Sequence, residues 1–196
     1  MPTNPIDIVS IILLVLFFSL LFSRILLLKS RGIQPIVFAK THPSDYFLMP
    51  IMFLLVYVAL ASALPILPFL KFLLKPLVES NVLAWIGVFV SSVGVVTFAL
   101  SLISFGNSFR MGIDTEKPDK LITNGIFSIS RNPIYVAFIL FFVGLILAHP
   151  NLAFIVVLFG MYIPILHRQI IREEDFLKVH YGEDYSNYAK KVRRYL

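Results

Sequence analysis

Two polar segments hold most of the side chains in this sequence that could bind a ligand or assist a reaction. One is LITNGIFSISRNPIY, residues 121–135, and the other is REEDFLKVHYGEDYSNY, residues 172–188. Asn132-Pro133 reads as a helix start, with Asn132 as cap and Pro133 at the first helical position. A helix N-terminus offers backbone N–H groups and the positive end of a dipole to an anion, and Arg131 precedes it. In the second segment Arg168 and Arg172 are four residues apart on one helical face, as are Gln169 and Glu173. A carboxylate there can accept hydrogen bonds from hydroxyl or amino groups. An arginine can hold a carboxylate or phosphate through two parallel bonds. Glu174 and Asp175 read as a solvated helix end.

Other chemistries are poorly supported. The 196 residues include no cysteine, which removes disulfides, thiol nucleophiles and thiolate metal sites. His42, His149, His167 and His180 form none of the pairs used for zinc, so no metal is expected. There is no GxGxxG, phosphate loop or GxSxG motif.

The elements that must position these residues are membrane helices. The chain is 58% hydrophobic and 14% charged, with mean hydropathy +0.87, the balance of an integral membrane protein. Apolar segments run at about 6–28, 46–70, 82–103, 134–148 and 152–166. The first three approach or exceed the roughly 20 residues that span hydrocarbon. The last two are shorter, and only His149-Pro150-Asn151 separates them, which predicts a tight hairpin. Pro50, Pro65, Pro68 and Pro164 mark ends or kinks. No window alternates as a strand would. The N-terminal run lacks a basic flank and a cleavage site, and reads as a retained helix.

The net charge of +6 belongs to residues that flank apolar segments, so it points to a membrane surface and not to nucleic acid. With the N-terminus outside and the C-terminus cytoplasmic, 15 basic residues lie inside and 2, Lys71 and Lys75, outside. Both polar segments then share the cytoplasmic face. Segment five continues past the membrane to Gly182. Beyond it Tyr185, Tyr188, Ala189, Val192 and Tyr195 recur at helical spacing, which predicts an amphipathic interfacial tail helix with an aromatic anchor. The expected fold is all-α and integral to the membrane. It has about five transmembrane helices in a single domain, 1–196. Residues 1–103 supply three generic spans and 104–196 a cofactor-binding core. Nothing in the pattern specifies an oligomer.

Taken together, Leu121-Ile122-Thr123-Asn124-Gly125-Ile126-Phe127, Arg131-Asn132-Pro133-Ile134-Tyr135, Arg172-Glu173-Glu174 and Tyr181-Gly182-Glu183-Asp184-Tyr185 through Tyr188 resemble the isoprenylcysteine carboxyl methyltransferases and related membrane phospholipid methyltransferases. The resemblance covers about 104–196. It implies an S-adenosylmethionine-dependent methyltransferase acting on a lipid-embedded acceptor, prenylcysteine-like or phospholipid-like. By position it implies cofactor contacts at Asp119, Lys120, Leu121, Ile122, Phe127, Asn132, Pro133, Ile134, Tyr135 and Glu173. Asn132 stands where the family more often has His, and Phe127 where it has Tyr. The substrate-carboxylate Arg falls nearest Gln169, between Arg168 and Arg172, which become the candidates for orienting the acceptor. A membrane reductase of the sterol-reductase kind, using NADPH, is the enzymatic alternative. A non-catalytic lipid-binding protein is the other.

Overall fold

The structure is a computed structural model that describes residues 4–35, 47–64, 72–109 and 120–196. Helix α1 is Pro5–Ser30, α2 Leu48–Ala63, α3 Asn81–Phe105 and α4 Pro133–Ala148. A short α5, Leu152–Ile155, runs through a π-helical stretch, Val156–Tyr162, into α6, Ile163–Lys191. Among the described residues there is no strand, only two isolated bridges.

Three of these helices are long and apolar enough to cross a membrane: Pro5–Ser30, Asn81–Ser108 and the continuous Leu152–Lys191. Each of the five predicted segments forms helix among its described residues, but α2 and α4 have 16 residues each, shorter than a full crossing needs at 1.5 Å per residue. Pro65 and Pro68 lie outside the described residues. The protein is an integral membrane protein of all-helical fold.

Helix starts follow local chemistry. Asn4 caps α1 by accepting from the Ile6 amide at 3.1 Å, Ser80 caps α3 and Asn151 caps α5. Pro164 explains the π-helical stretch. Its ring would collide with the carbonyl four residues back, at Gly160, and widening the preceding turn removes that conflict.

The bundle is held by two kinds of contact. At its centre Phe17 of α1 stacks on Phe98 of α3 at 4.4 Å and on Phe141 of α4 at 4.2 Å, with Phe138 edge-on at 4.9 Å. Along the α3–α4 seam the backbones touch. A Cβ on Gly87 would lie 2.3 Å from the Ala148 amide nitrogen, and one on Gly144 2.3 Å from Ser91. The hydroxyl of Ser91 donates to the Phe141 carbonyl at 3.0 Å. Small residues let membrane helices approach until dispersion and such hydrogen bonds hold them, because lipid gives no hydrophobic drive between helices.

The two ends of the bundle differ. At one end His149 Nε2 meets Ser10 Oγ at 3.0 Å, and Asp7 lies 3.8 Å from His149 Nδ1. Burial pushes this imidazole below its ordinary pKa, and Asp7 partly opposes the shift. A cleft of about 470 Å³ opens here, bordered by Asp7, Glu79, His149 and Asn151 and containing none of the motif residues. At the other end the Arg24 guanidinium donates to the Gly106 carbonyl, and Arg31 Nη1 donates to Asn107 Oδ1 at 2.6 Å. That second end also carries both polar segments.

Candidate functional site

The first segment is fixed by a turn that needs glycine. Gly125 has φ +61°, in the left-handed region, and a Cβ there would lie 2.6 Å from Ser104 Oγ. The 3-10 turn Gly125–Ser128 seats the Phe127 ring against Phe105 of α3, with ring centroids 4.6 Å apart. Phe127 is buried, and its carbonyl accepts from the Tyr188 hydroxyl at 2.6 Å. Lys120 is exposed, while Leu121 and Ile122 are half-buried. Asp119 lies outside the described residues.

Pro133 opens α4 as the sequence predicts, yet the Asn132 side chain does not cap it. Asn132 Nδ2 instead donates to Glu174 Oε1 at 2.9 Å and to the Arg194 carbonyl at 3.2 Å. Cap-position Asn usually turns back on its own helix. Here its Nδ2 donor is committed to a buried carboxylate and a carbonyl, and the side chain is held away from its helix end. The α4 N-terminus is left without a side-chain cap.

Glu174 corrects a second expectation. It is not solvated but 7% exposed. Besides Asn132, its Oε2 takes Arg194 Nε at 3.0 Å and Nη2 at 2.9 Å, with Arg131 Nη2 at 3.4 Å. A carboxylate this buried is tolerated only when its lone pairs are satisfied. Hydrogen bonding to Glu174 in turn raises the Arg194 pKa.

One position earlier on α6, Glu173 faces a different set. Its Oε1 accepts from the Tyr135 hydroxyl at 2.6 Å and from Gln169 Nε2 at 2.9 Å. Gln169 is fully buried, and its Oε1 accepts from Arg172 Nη2 at 3.1 Å. Tyr135, Glu173, Gln169 and Arg172 thus form one hydrogen-bonded line across α4 and α6. Arg168 is exposed and stands apart from that line. Ile134 is half-buried at the start of α4, beside the buried Pro133. The structure therefore brings Asn132, Pro133, Ile134, Tyr135, Glu173 and Arg172 to one end of the bundle and packs Phe127 beneath them.

The tail also departs from expectation. Gly182 has φ +57° and ψ −122° and breaks α6 where the sequence predicts an end. In the following turns Tyr185 and Tyr188 are buried at 4% and 8% exposure, so they face the protein and do not anchor it in lipid. Their spacing fits either role, and only the docking surface decides. Tyr185 Oη and Arg131 Nε are buried without a hydrogen-bond partner, two spare donors bordering the Glu174 cluster. Ser130 and Arg194 are not among the sequence candidates, Gln169 enters only as sharing a face with Glu173 and lying nearest the acceptor position, and Glu174 reads as solvated. The only signal for them is a polar or charged side chain within or near a recognisable motif. Among the described residues no group of His, Cys, Asp or Glu could hold a metal ion.

Several plant proteins are similar to this chain. "Probable protein-S-isoprenylcysteine O-methyltransferase" of Oryza sativa subsp. indica is 32% identical over 115 residues, covering 56% of this chain and 58% of the relative. "Protein-S-isoprenylcysteine O-methyltransferase B" of Arabidopsis thaliana is 32% identical over 105 residues, covering 50% and 51%. The chain spans little more than half the length of these curated relatives. Residues 82–184, just over half of the chain and including both polar segments almost entirely, match the profile of the phospholipid methyltransferases, and the chain belongs to that family.

Proposed function

We propose that this protein transfers a methyl group from S-adenosylmethionine to a lipid-embedded acceptor at the cytoplasmic face of a membrane. The observation that carries the reading is the Tyr135–Glu173–Gln169–Arg172 line, which joins the two motif segments of a family member through side chains suited to binding. S-adenosylmethionine supplies an electrophilic methyl on a sulfonium. What the chain must add is placement, since in-line methyl transfer needs little acid–base work. The residues at hand fit such a cofactor. Glu173 is a carboxylate able to accept from ribose hydroxyls or an amino group. The uncapped α4 N-terminus favours an anionic group such as a carboxylate. Tyr185 and Arg131 offer spare donors nearby. Lys120, Leu121, Ile122 and Asp119 remain proposed contacts on the resemblance.

Of the two arginines proposed for the acceptor, Arg172 is favoured because it is half-buried and hydrogen-bonded beside Glu173. It would hold the carboxylate of a prenylcysteine-like acceptor or the phosphate of a phospholipid-like one. The cytoplasmic placement rests on the basic residues that gather at this end. Cysteines at Lys75 and Lys190 are expected to label from opposite faces of a sealed vesicle, and labelling from one face would overturn the orientation.

Calorimetry with S-adenosylhomocysteine and, separately, NADPH tests the cofactor. Binding of the first alone is expected, and binding of NADPH alone would overturn the assignment. For the acceptor, methyl transfer from labelled cofactor into a membrane lipid extract is measured with Arg172→Lys and Arg168→Lys. Loss of acceptor affinity is expected in the first. Full turnover by both variants would reduce the arginines to interfacial anchors.

A further inference from the structure

The family match ends at residue 184, but the polar end of the bundle is completed by residues beyond it. After Lys191 the backbone leaves the helix and returns alongside the second motif. Ser130 and Arg193 form an isolated parallel bridge, in which the Arg131 amide donates to the Arg193 carbonyl at 3.0 Å. The Arg194 carbonyl accepts from Asn132 Nδ2 at 3.2 Å and, at 3.4 Å, from Ser130 Oγ. The Arg194 guanidinium grips Glu174 Oε2 through two nitrogens. One residue further, the Tyr195 hydroxyl meets His167 Nδ1, two helical turns before Glu174 on α6.

Asn132, at the start of α4, has its side-chain amide shared between Glu174 and the Arg194 backbone. Without Arg194, Glu174 would keep one long contact to Arg131 and the Asn132 amide. The two acceptors that turn Asn132 away from its own helix end, Glu174 Oε1 and the Arg194 carbonyl, would then no longer be held in place. We infer that Arg194 is a positioning residue: by holding Glu174 and presenting its carbonyl to Asn132, it sets the geometry of residues 130–135 and keeps the α4 N-terminus uncapped for the methyl donor. The role in donor binding rests on the proposed function. The positioning of 130–135 does not.

Arg194 acts through Glu174 and Asn132, so its removal should move a local readout and spare the rest of the bundle. Amide hydrogen exchange is measured in detergent, without cofactor, on Arg194→Gln, Arg194→Lys and Arg193→Gln. Arg193 is the control, because its side chain is exposed and only its carbonyl is engaged. In Arg194→Gln, peptides covering 128–137 should exchange faster while α1 and α3 peptides stay as in the wild type. Arg194→Lys, which keeps a charge but can place only one donor group on Glu174, should lie between. Arg193→Gln should match the wild type. S-adenosylhomocysteine affinity should fall about five- to tenfold in Arg194→Gln, a modest figure because the Arg194 side chain is 38% exposed.

Unchanged exchange at 128–137 in Arg194→Gln would overturn the inference. So would faster exchange everywhere, which would mean general destabilisation. Faster local exchange with unaltered affinity would sink the link to the donor. If the wild type binds no S-adenosylhomocysteine, the methyltransferase reading fails, and the exchange measurement still decides the positioning role.

Discussion

Adjacent glutamates on α6 are expected to fail in different ways, and Glu174→Gln is the sharper test. The substitution keeps shape but removes the charge and one acceptor. Glu174 Oε1 serves Asn132, and Oε2 serves Arg194 and Arg131. If the new amide turns its NH₂ toward Asn132, two donors face each other in a buried site. That costs about 1–3 kcal/mol. The remaining neutral oxygen then faces both arginines, and charge-assisted bonds fall to roughly half strength. Breaking one side of a buried ion pair costs about 3–5 kcal/mol. The Arg194 side chain is 38% exposed and can rehydrate, which discounts the cost to about 2–4 kcal/mol. For a chain of this size that corresponds to a fall in Tm of about 4–16 °C. Glu173→Gln should leave Tm within about 2–3 °C of the wild type. It should weaken S-adenosylhomocysteine about ten- to a hundredfold through lost charge-assisted bonds. Melting in detergent with and without ligand, alongside calorimetric affinities, separates the two. A Glu174→Gln protein that melts like the wild type but loses affinity as Glu173→Gln does would refute the structural role of Glu174.

Gly144→Leu should separate α3 from α4, because even a Cβ there would lie 2.3 Å from Ser91. A loss of folded protein in detergent is expected, against near-wild-type behaviour for Gly160→Ala, whose site has a nearest neighbour at 4.0 Å. Stability should also fall on mild acidification. The His149 pKa is lowered on folding, so the unfolded chain binds more protons as pH drops below about 6.5. The loss should continue down to the folded-state pKa, and His149→Gln should flatten that part of a Tm-against-pH curve. An unchanged slope would dismiss His149 as its source.

The helices themselves were legible, because long apolar runs ended by Pro and Gly leave few alternatives. Gly182 as a break and Pro133 as a start both follow from backbone chemistry that any context would respect. The joining of Tyr135 to Glu173 was foreshadowed by the motifs. What the sequence hid was which way polar side chains turn. Asn132 reads as a cap, and that it serves a distant carboxylate instead depends on Glu174, 42 residues away. Glu174 and Asp175 look alike in sequence. A single 100° step around α6 buries the first and exposes the second. The tail tyrosines have the spacing of a lipid anchor and of a packing face alike. Span length was also ambiguous for α2, since the apolar run around it is longer than the helix that forms.

The glycine seam between α3 and α4 limits how a lipid could reach the polar end of the bundle. Acyl chains slip between membrane helices only where side chains can move aside. Along this seam main chain rests on main chain at Gly87, Gly94 and Gly144, so there is nothing to swing away. Such a pair behaves as a single plank within the bilayer. If the acceptor carries a hydrocarbon tail, that tail would have to enter along another flank, such as the one where α2 packs on α1 and on the π-helical stretch. On that reading, the side chains that select the acceptor would lie away from this seam.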